Sequence, residues 1–156
     1  MTISKDNFSY TGKWYNGRAN GFGCSKDANG TYEGYMKNNV WEGKGKVLYT
    51  NDSSYEGFFK EGLRHGHGEL RLEDGSIYKG DFANDMLEGI GFYKFSSDGK
   101  EYLGEWKGGS MQGYGILKWK TGHTYEGQFS NNLRMGYGVY TWNDGRKYSG
   151  NFANNK

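Results

Sequence analysis

Proline is absent from this chain, and cysteine occurs once, as Cys24. Without proline, nothing removes a ladder hydrogen bond or kinks a helix by ring geometry. A single cysteine excludes any disulfide within the chain. Aliphatic side chains are also scarce. Leu, Ile, Val and Phe together make 24 of the 156 residues, and mean hydropathy is -0.97, a balance that taken alone points to disorder. No apolar run approaches the ~18 residues of a membrane helix. Residues Met1 to Asn7 lack the apolar stretch of a secretory signal, and Thr2 stands where myristoylation requires glycine. There is no run of four or more Lys/Arg and the net charge is +2, so no strong field points to nucleic acid or an anionic surface. A cytoplasmic chain is expected, and the glycosylation-type triplets beginning at Asn7, Asn29 and Asn51 read as chance.

What the chain does have is aromatic residues, at 18%, and 28 glycines, both in register. Tyr10, Tyr32, Tyr55, Tyr78, Tyr102, Tyr125 and Tyr148 follow one another at steps of 22, 23, 23, 24, 23 and 23 residues. Disordered chains are poor in aromatics and show no such period, whereas self-similarity at 20–50 residues is the mark of a repeat array. With each tyrosine as position 0, position 2 is always glycine, as at Gly57 and Gly104, and position 4 is large and apolar: Trp14, Met36, Phe59, Phe82, Trp106, Phe129 and Phe152. Positions 11 and 13 form Gly-x-Gly in all six complete repeats, from Gly21/Gly23 to Gly136/Gly138. A further glycine closes most repeats, at Gly30, Gly75, Gly99, Gly122 and Gly145.

This pattern resembles the MORN repeat (membrane occupation and recognition nexus), and the resemblance covers residues 10 to 156. Strand faces alternate with period 2, so Tyr, Gly and the aromatic share one face. Residues at 11, 13, 15 and 17 alternate likewise, as in Gly113, Gly115, Leu117 and Trp119. A turn of about six residues, such as Lys60 to His65, separates the two segments, giving one β-hairpin per repeat. Glycine leaves the sheet bare for an aromatic ring from a neighbouring strand. The expected fold is all-β: an elongated single-layer antiparallel β-hairpin repeat array, a MORN-type solenoid of about six and a half repeats, with about thirteen strands. Residues 1–156 form a single MORN-repeat domain, with repeats starting at the seven tyrosines and a half repeat at Tyr148.

No catalytic constellation appears. His65-Gly66-His67 is the only histidine pair, Cys24 and His123 lie far from it in sequence, and neither a nucleophile elbow nor a phosphate loop is present. The expectation is a non-enzymatic chain with no metal, cofactor or nucleic-acid site.

Two surfaces are candidates for a partner. Opposite the glycine face, the second and third repeats place polar side chains such as Lys44, Lys46, His67, Glu69 and Arg71. The later repeats place Ile90, Phe92, Tyr114, Ile116, Tyr137 and Val139 there, joined by Leu103 from the adjacent strand. In a single-layer sheet that apolar strip reads as a partner site, the alternative being a second small core closed by strong curvature or by contact with a symmetry mate. The aromatic ladder, with Tyr78, Tyr102, Tyr125, Trp119 and Trp142, is the second: it reads mainly as packing, with outer edges left to grip an extended peptide or an amphipathic helix. The family resemblance implies a scaffold or adaptor linking membrane or cytoskeleton. It also implies phospholipid headgroup binding, for which Lys118, Lys120, Arg134, Arg146 and Lys147 are the best-placed cations. It further allows a module of a larger enzyme, and a homodimer paired through the terminal strand 148–152.

Overall fold

The computed structural model describes residues 2–5 and 8–156, with side chains described from Ser9 onward; Met1, Asp6 and Asn7, and with Asn7 the first glycosylation-type triplet, lie outside the described residues. The fold is all-β and antiparallel, fourteen strands following one another in sequence order in one sheet. One more strand is present than the sequence leads one to expect, the N-terminal β1 (Thr2–Lys5). The others are β2 (Phe8–Tyr15), β3 (Arg18–Asp27), β4 (Gly30–Lys37), β5 (Val40–Tyr49), β6 (Ser54–Lys60), β7 (Leu63–Arg71), β8 (Ile77–Ala83), β9 (Met86–Lys94), β10 (Glu101–Lys107), β11 (Ser110–Lys118), β12 (Thr124–Ser130), β13 (Leu133–Thr141) and β14 (Lys147–Phe152). The chain divides into two compact units: Met1–Glu73 with Phe82–Asp85, and Asp74–Asp81 with Met86–Lys156.

Within each unit the core is one face of the sheet. Tyr10, Tyr32 and Tyr55 in the first unit, and Tyr78, Tyr102 and Tyr125 in the second, are essentially unexposed. Each ring lies back over the glycine two residues ahead on its own strand and over the glycine paired with it on the next. A Cβ on Gly104 or on Gly115 would stand 2.5 Å from the Tyr102 hydroxyl, and one on Gly104 would stand 2.5 Å from the Gly115 Cα. No side chain fits there. The expectation that a neighbouring strand supplies the ring holds for the position-13 glycines, such as Gly115 under Tyr102, whereas the position-2 glycines, such as Gly104, lie under the tyrosine of their own strand. The hydroxyl is satisfied locally, donating to the carbonyl three residues on: Tyr55 to Phe58 at 2.9 Å and Tyr102 to Glu105 at 3.0 Å. Tyr55, Tyr102 and Tyr125 each meet two position-4 rings edge-on, their own and that of the following repeat. Tyr55 touches Phe59 and Phe82 at 5.0 and 5.1 Å, and Tyr102 touches Trp106 and Phe129 at 5.2 and 5.0 Å. These T-shaped contacts zip one repeat to the next and contribute beyond area burial, about 0.5–1.5 kcal/mol each.

The glycine at position 11 does not belong to this alternation. Gly43, Gly66, Gly89, Gly113 and Gly136 all have φ between 65° and 73°, and the register breaks in the β2–β3, β4–β5, β6–β7, β10–β11 and β12–β13 hairpins, so that Glu105 alone faces the stretch between Met111 and Gly115. These are bulge glycines in the left-handed region. The bulge shortens the hairpin turn from the expected six residues to two. Asn38-Asn39, Asn84-Asp85, Gly108-Gly109 and Asn131-Asn132 each have positive φ at both positions, the type I′ geometry that matches strand twist.

Candidate functional site

The face opposite the tyrosines carries the candidate surface, and register fixes its rows. In the second unit one row crosses β9 to β14 as Phe92, Leu103, Ile116, Glu126, Val139 and Ser149, each the direct cross-strand partner of the next. Leu103 is 50% exposed and Ile116 36%, while Phe92 and Val139 are half-buried. Ile90, Tyr114 and Tyr137 flank the row and are exposed. The seven apolar residues singled out from the sequence thus lie together on one open face of this unit. Side chains in direct or diagonal register are within reach of one another, so the strip is continuous except at Glu126. The Tyr114 hydroxyl donates to Glu126 Oε1, and this bond to the carboxylate holds the phenol above its ordinary pKa. The sequence reading missed Glu126, because a lone acid on a strand reads as solvated.

The aromatic group divides. Tyr78, Tyr102 and Tyr125 are 0% exposed; their rings are packing and offer no contact surface of their own. Burial raises their hydroxyl pKa values, well above the ordinary range for Tyr78 and Tyr102, with Arg134 opposing the rise at Tyr125. In the first unit burial pushes Tyr55 up to about 12, with Arg64 opposing it. Trp119 and Trp142 remain half-buried and both meet the Tyr140 ring, at 5.6 and 4.9 Å. His123 Nδ1 lies 2.9 Å from the Tyr140 hydroxyl.

The five cations do not converge. Arg134 is on the tyrosine face, its guanidinium 5.5–5.6 Å from the rings of Trp119, Tyr125, Tyr140 and Phe152, a cation–π cage that already uses it. Arg146 pairs with Asp144 at 2.7 Å in the turn after β13. Lys118 and Lys147 stand on the opposite face, at the ends of a row that runs through Thr124 and Thr141. Lys118 and Lys120 do share a cleft of about 460 Å³ with Lys94, Trp119 and His123.

Elsewhere, His65 is half-buried with Nδ1 unpartnered, whereas His67 is exposed. Cys24 is exposed. Among the described residues no group of three His, Cys, Asp or Glu could hold a metal ion, and no helix is long and apolar enough to cross a membrane.

A second feature escaped the sequence reading. The second residue of several I′ turns locks onto the preceding repeat. Asn39 Oδ1 accepts from Ala19 N at 2.7 Å, while Asn39 N donates to Ala19 O at 3.1 Å. Asp85 does the same to Arg64, Asn132 to Met111 and Asn155 to Arg134. The signal was present at position 7, which alternates between glycine and Asn/Asp through the first six repeats.

A hairpin that repeats every 23 residues or so, stacks through rings on one face and leaves the other open defines a β-hairpin repeat protein. The MORN repeat model matches residues 10–31, 32–54, 55–77, 78–100, 102–124 and 125–145, and the chain belongs to the MORN repeat family. No curated protein matches it. Among solved structures, the TCP domain of SAS-4 (dCPAP) from Drosophila melanogaster, in complex with a proline-rich motif of Ana2 (dSTIL), is similar at a TM-score of 0.46 and 12% identity over 85% of each chain. A likeness that slight says nothing about function.

Proposed function

We propose that this chain is a non-catalytic scaffold or adaptor module that binds a protein partner on the open face of its second unit. The observation that carries this reading is the row Phe92, Leu103, Ile116 and Val139, apolar side chains left partly or largely exposed on strands β9, β10, β11 and β13. From β9 to β13 the row spans four strand spacings, about 19 Å. That matches about thirteen residues of an amphipathic helix at 1.5 Å per residue, or about six of an extended segment. Membership in the MORN family supports a binding module rather than an enzyme.

The test is a pull-down from cytosolic extract with wild type and with Phe92→Asp/Ile116→Asp/Val139→Asp, folding of both being checked by circular dichroism. A partner held by wild type and lost by the folded variant is the expected result. A folded variant that keeps every partner overturns the assignment to this face.

A second reading, binding of an anionic phospholipid headgroup, is favoured by one observation, the cleft that brings Lys118, Lys120 and His123 around Trp119, with Lys94 beside them paired to Glu101 at 3.1 Å. On that reading liposome binding falls steeply with salt and is lost in Lys118→Ala/Lys120→Ala. Binding that ignores salt excludes it.

A further inference from the structure

The apolar strip is interrupted at one place, and the interruption is concave. Tyr114 on β11, Glu126 on β12 and Tyr137 on β13, with Val139 beside them, line a cavity of about 330 Å³ whose floor includes Gly127 and Gly138. Tyr114 and Tyr137 are 49% and 59% exposed. Resting on the functional reading above, we propose that this cavity receives a lysine or arginine side chain of the protein partner, its cation seated between the two tyrosine rings and against the Glu126 carboxylate, with apolar residues of the same segment lying on Leu103 and Ile116.

Four observations carry this. The first is spacing. Strands β11 and β13 stand two sheet spacings apart, about 9.6 Å, and Tyr114 and Tyr137 line the same cavity from either side of β12, so a cation entering it meets aromatic groups as well as the carboxylate. The second is that the space is open. Gln128 is the direct partner of Tyr114 and sits opposite the bulge of β13, and its side chain folds over Gly136 on that strand. The third is charge. Glu126 makes no ion pair among the described residues, and its one bond comes from the neutral Tyr114 hydroxyl. A carboxylate set within an apolar contact surface is costly to cover unless the partner brings a countercharge. The fourth is direction: the bond from Tyr114 pins one oxygen of Glu126 and leaves the other to accept from a donor. Lys147, at the rim of the same cavity, opposes a cation and makes the site tunable.

The test uses the whole chain and three probes: n-butylammonium, n-butanol as its neutral counterpart, and inorganic phosphate. Amide NMR shifts of Gly127 and Gly138 report occupancy. Saturable shifts with butylammonium, absent with butanol, are expected. Glu126→Gln and, separately, Tyr137→Ala are expected to weaken the apparent affinity at least fivefold, and Lys147→Ala to strengthen it. Both weakening substitutions fall on exposed side chains, so either decides the matter if the other variant fails to fold. Equal shifts from butanol, unchanged affinity in Glu126→Gln, or saturation by phosphate instead overturns the proposal. The two readings fail separately. If the pocket binds butylammonium while the Asp triple variant keeps its partners, the adaptor face is wrong. If partners are lost but butylammonium never binds, only the cation pocket is wrong.

Discussion

The two units share one face and differ on the other. On the tyrosine face the same parts recur, ring over paired glycines and ring against ring, from Tyr32 and Tyr55 in the first unit to Tyr102 and Tyr125 in the second. On the opposite face, equivalent positions carry different chemistry. The middle row of the first unit runs Thr11, Cys24, Glu33, Lys46, Glu56 and Glu69. That of the second runs Phe92, Leu103, Ile116, Glu126 and Val139. Position 14 of the repeat is Cys24, Lys46 and Glu69 in one, and Phe92, Ile116 and Val139 in the other. A repeat array needs only one face to stack its neighbours. The other is free to diverge, and the difference between units is therefore the place to look for function. The flanking row is less clear-cut: Phe22 and Tyr35 pair edge-on at 5.6 Å in the first unit too.

The largest expected effect strikes the shared face in both units together. The buried tyrosines have hydroxyl pKa values raised by burial, Tyr55 to about 12 and Tyr32, Tyr78 and Tyr102 beyond it. Their unfolded value is near 10. A pKa raised on folding means the folded chain holds these protons more tightly than the unfolded one. The stability they contribute is whole below pH 10 and is lost as pH climbs through 12 and above. Alkaline titration by circular dichroism is expected to show cooperative loss of sheet in that window. Ionisation of these tyrosines near pH 10 with the sheet intact would break the equivalence of the two inner faces.

Next in size is deletion of one ring. Tyr55→Ala and Tyr102→Ala each empty the space over two glycines and remove two edge-on contacts, and each is expected to cost about 3–5 kcal/mol by urea unfolding. A difference of more than about 2 kcal/mol between them would show that the two inner faces are not built alike.

Smaller still are the turn clamps. Asn132→Gly keeps the left-handed backbone but removes the acceptor for Met111 N, for a loss of about 1 kcal/mol. The converse, Gly109→Asn, puts a side chain where nothing stands within 4 Å and φ is 80°, and is expected to gain up to about 1 kcal/mol by reaching Leu87 N. Thermal unfolding of both variants measures the pair.

Much of this was legible in the sequence, and the physical reason is the glycine. Tyr102, Gly104 and Trp106 fix one face by alternation alone, so the repeat, the hairpins and the strip on the opposite face follow. Gly113 misled because glycine serves two purposes two residues apart: Gly115 makes room for a ring, whereas Gly113 turns the backbone left-handed, and composition does not separate them. The same bulge hid the two-residue turns. That Tyr78, Tyr102 and Tyr125 serve as packing was legible; that they keep no exposed edge was not, since only the folded ring shows that it lies back over its own strand. Arg134, taken for a surface cation, is held by four rings that meet only in the fold.

The central claim is that the row through Phe92, Ile116 and Val139 is surface while its equivalent on the tyrosine face is core. Equilibrium urea unfolding of Phe92→Thr/Ile116→Thr/Val139→Thr tests it most directly, threonine keeping strand preference while removing the apolar contact. A surface row predicts a single cooperative transition and a total loss below about 3 kcal/mol, since half-exposed side chains forgo much of the ~1.5–3 kcal/mol of full burial. A loss above about 6 kcal/mol, the sum expected for three core truncations at ~2 kcal/mol or more each, would contradict it and make the strip part of the core.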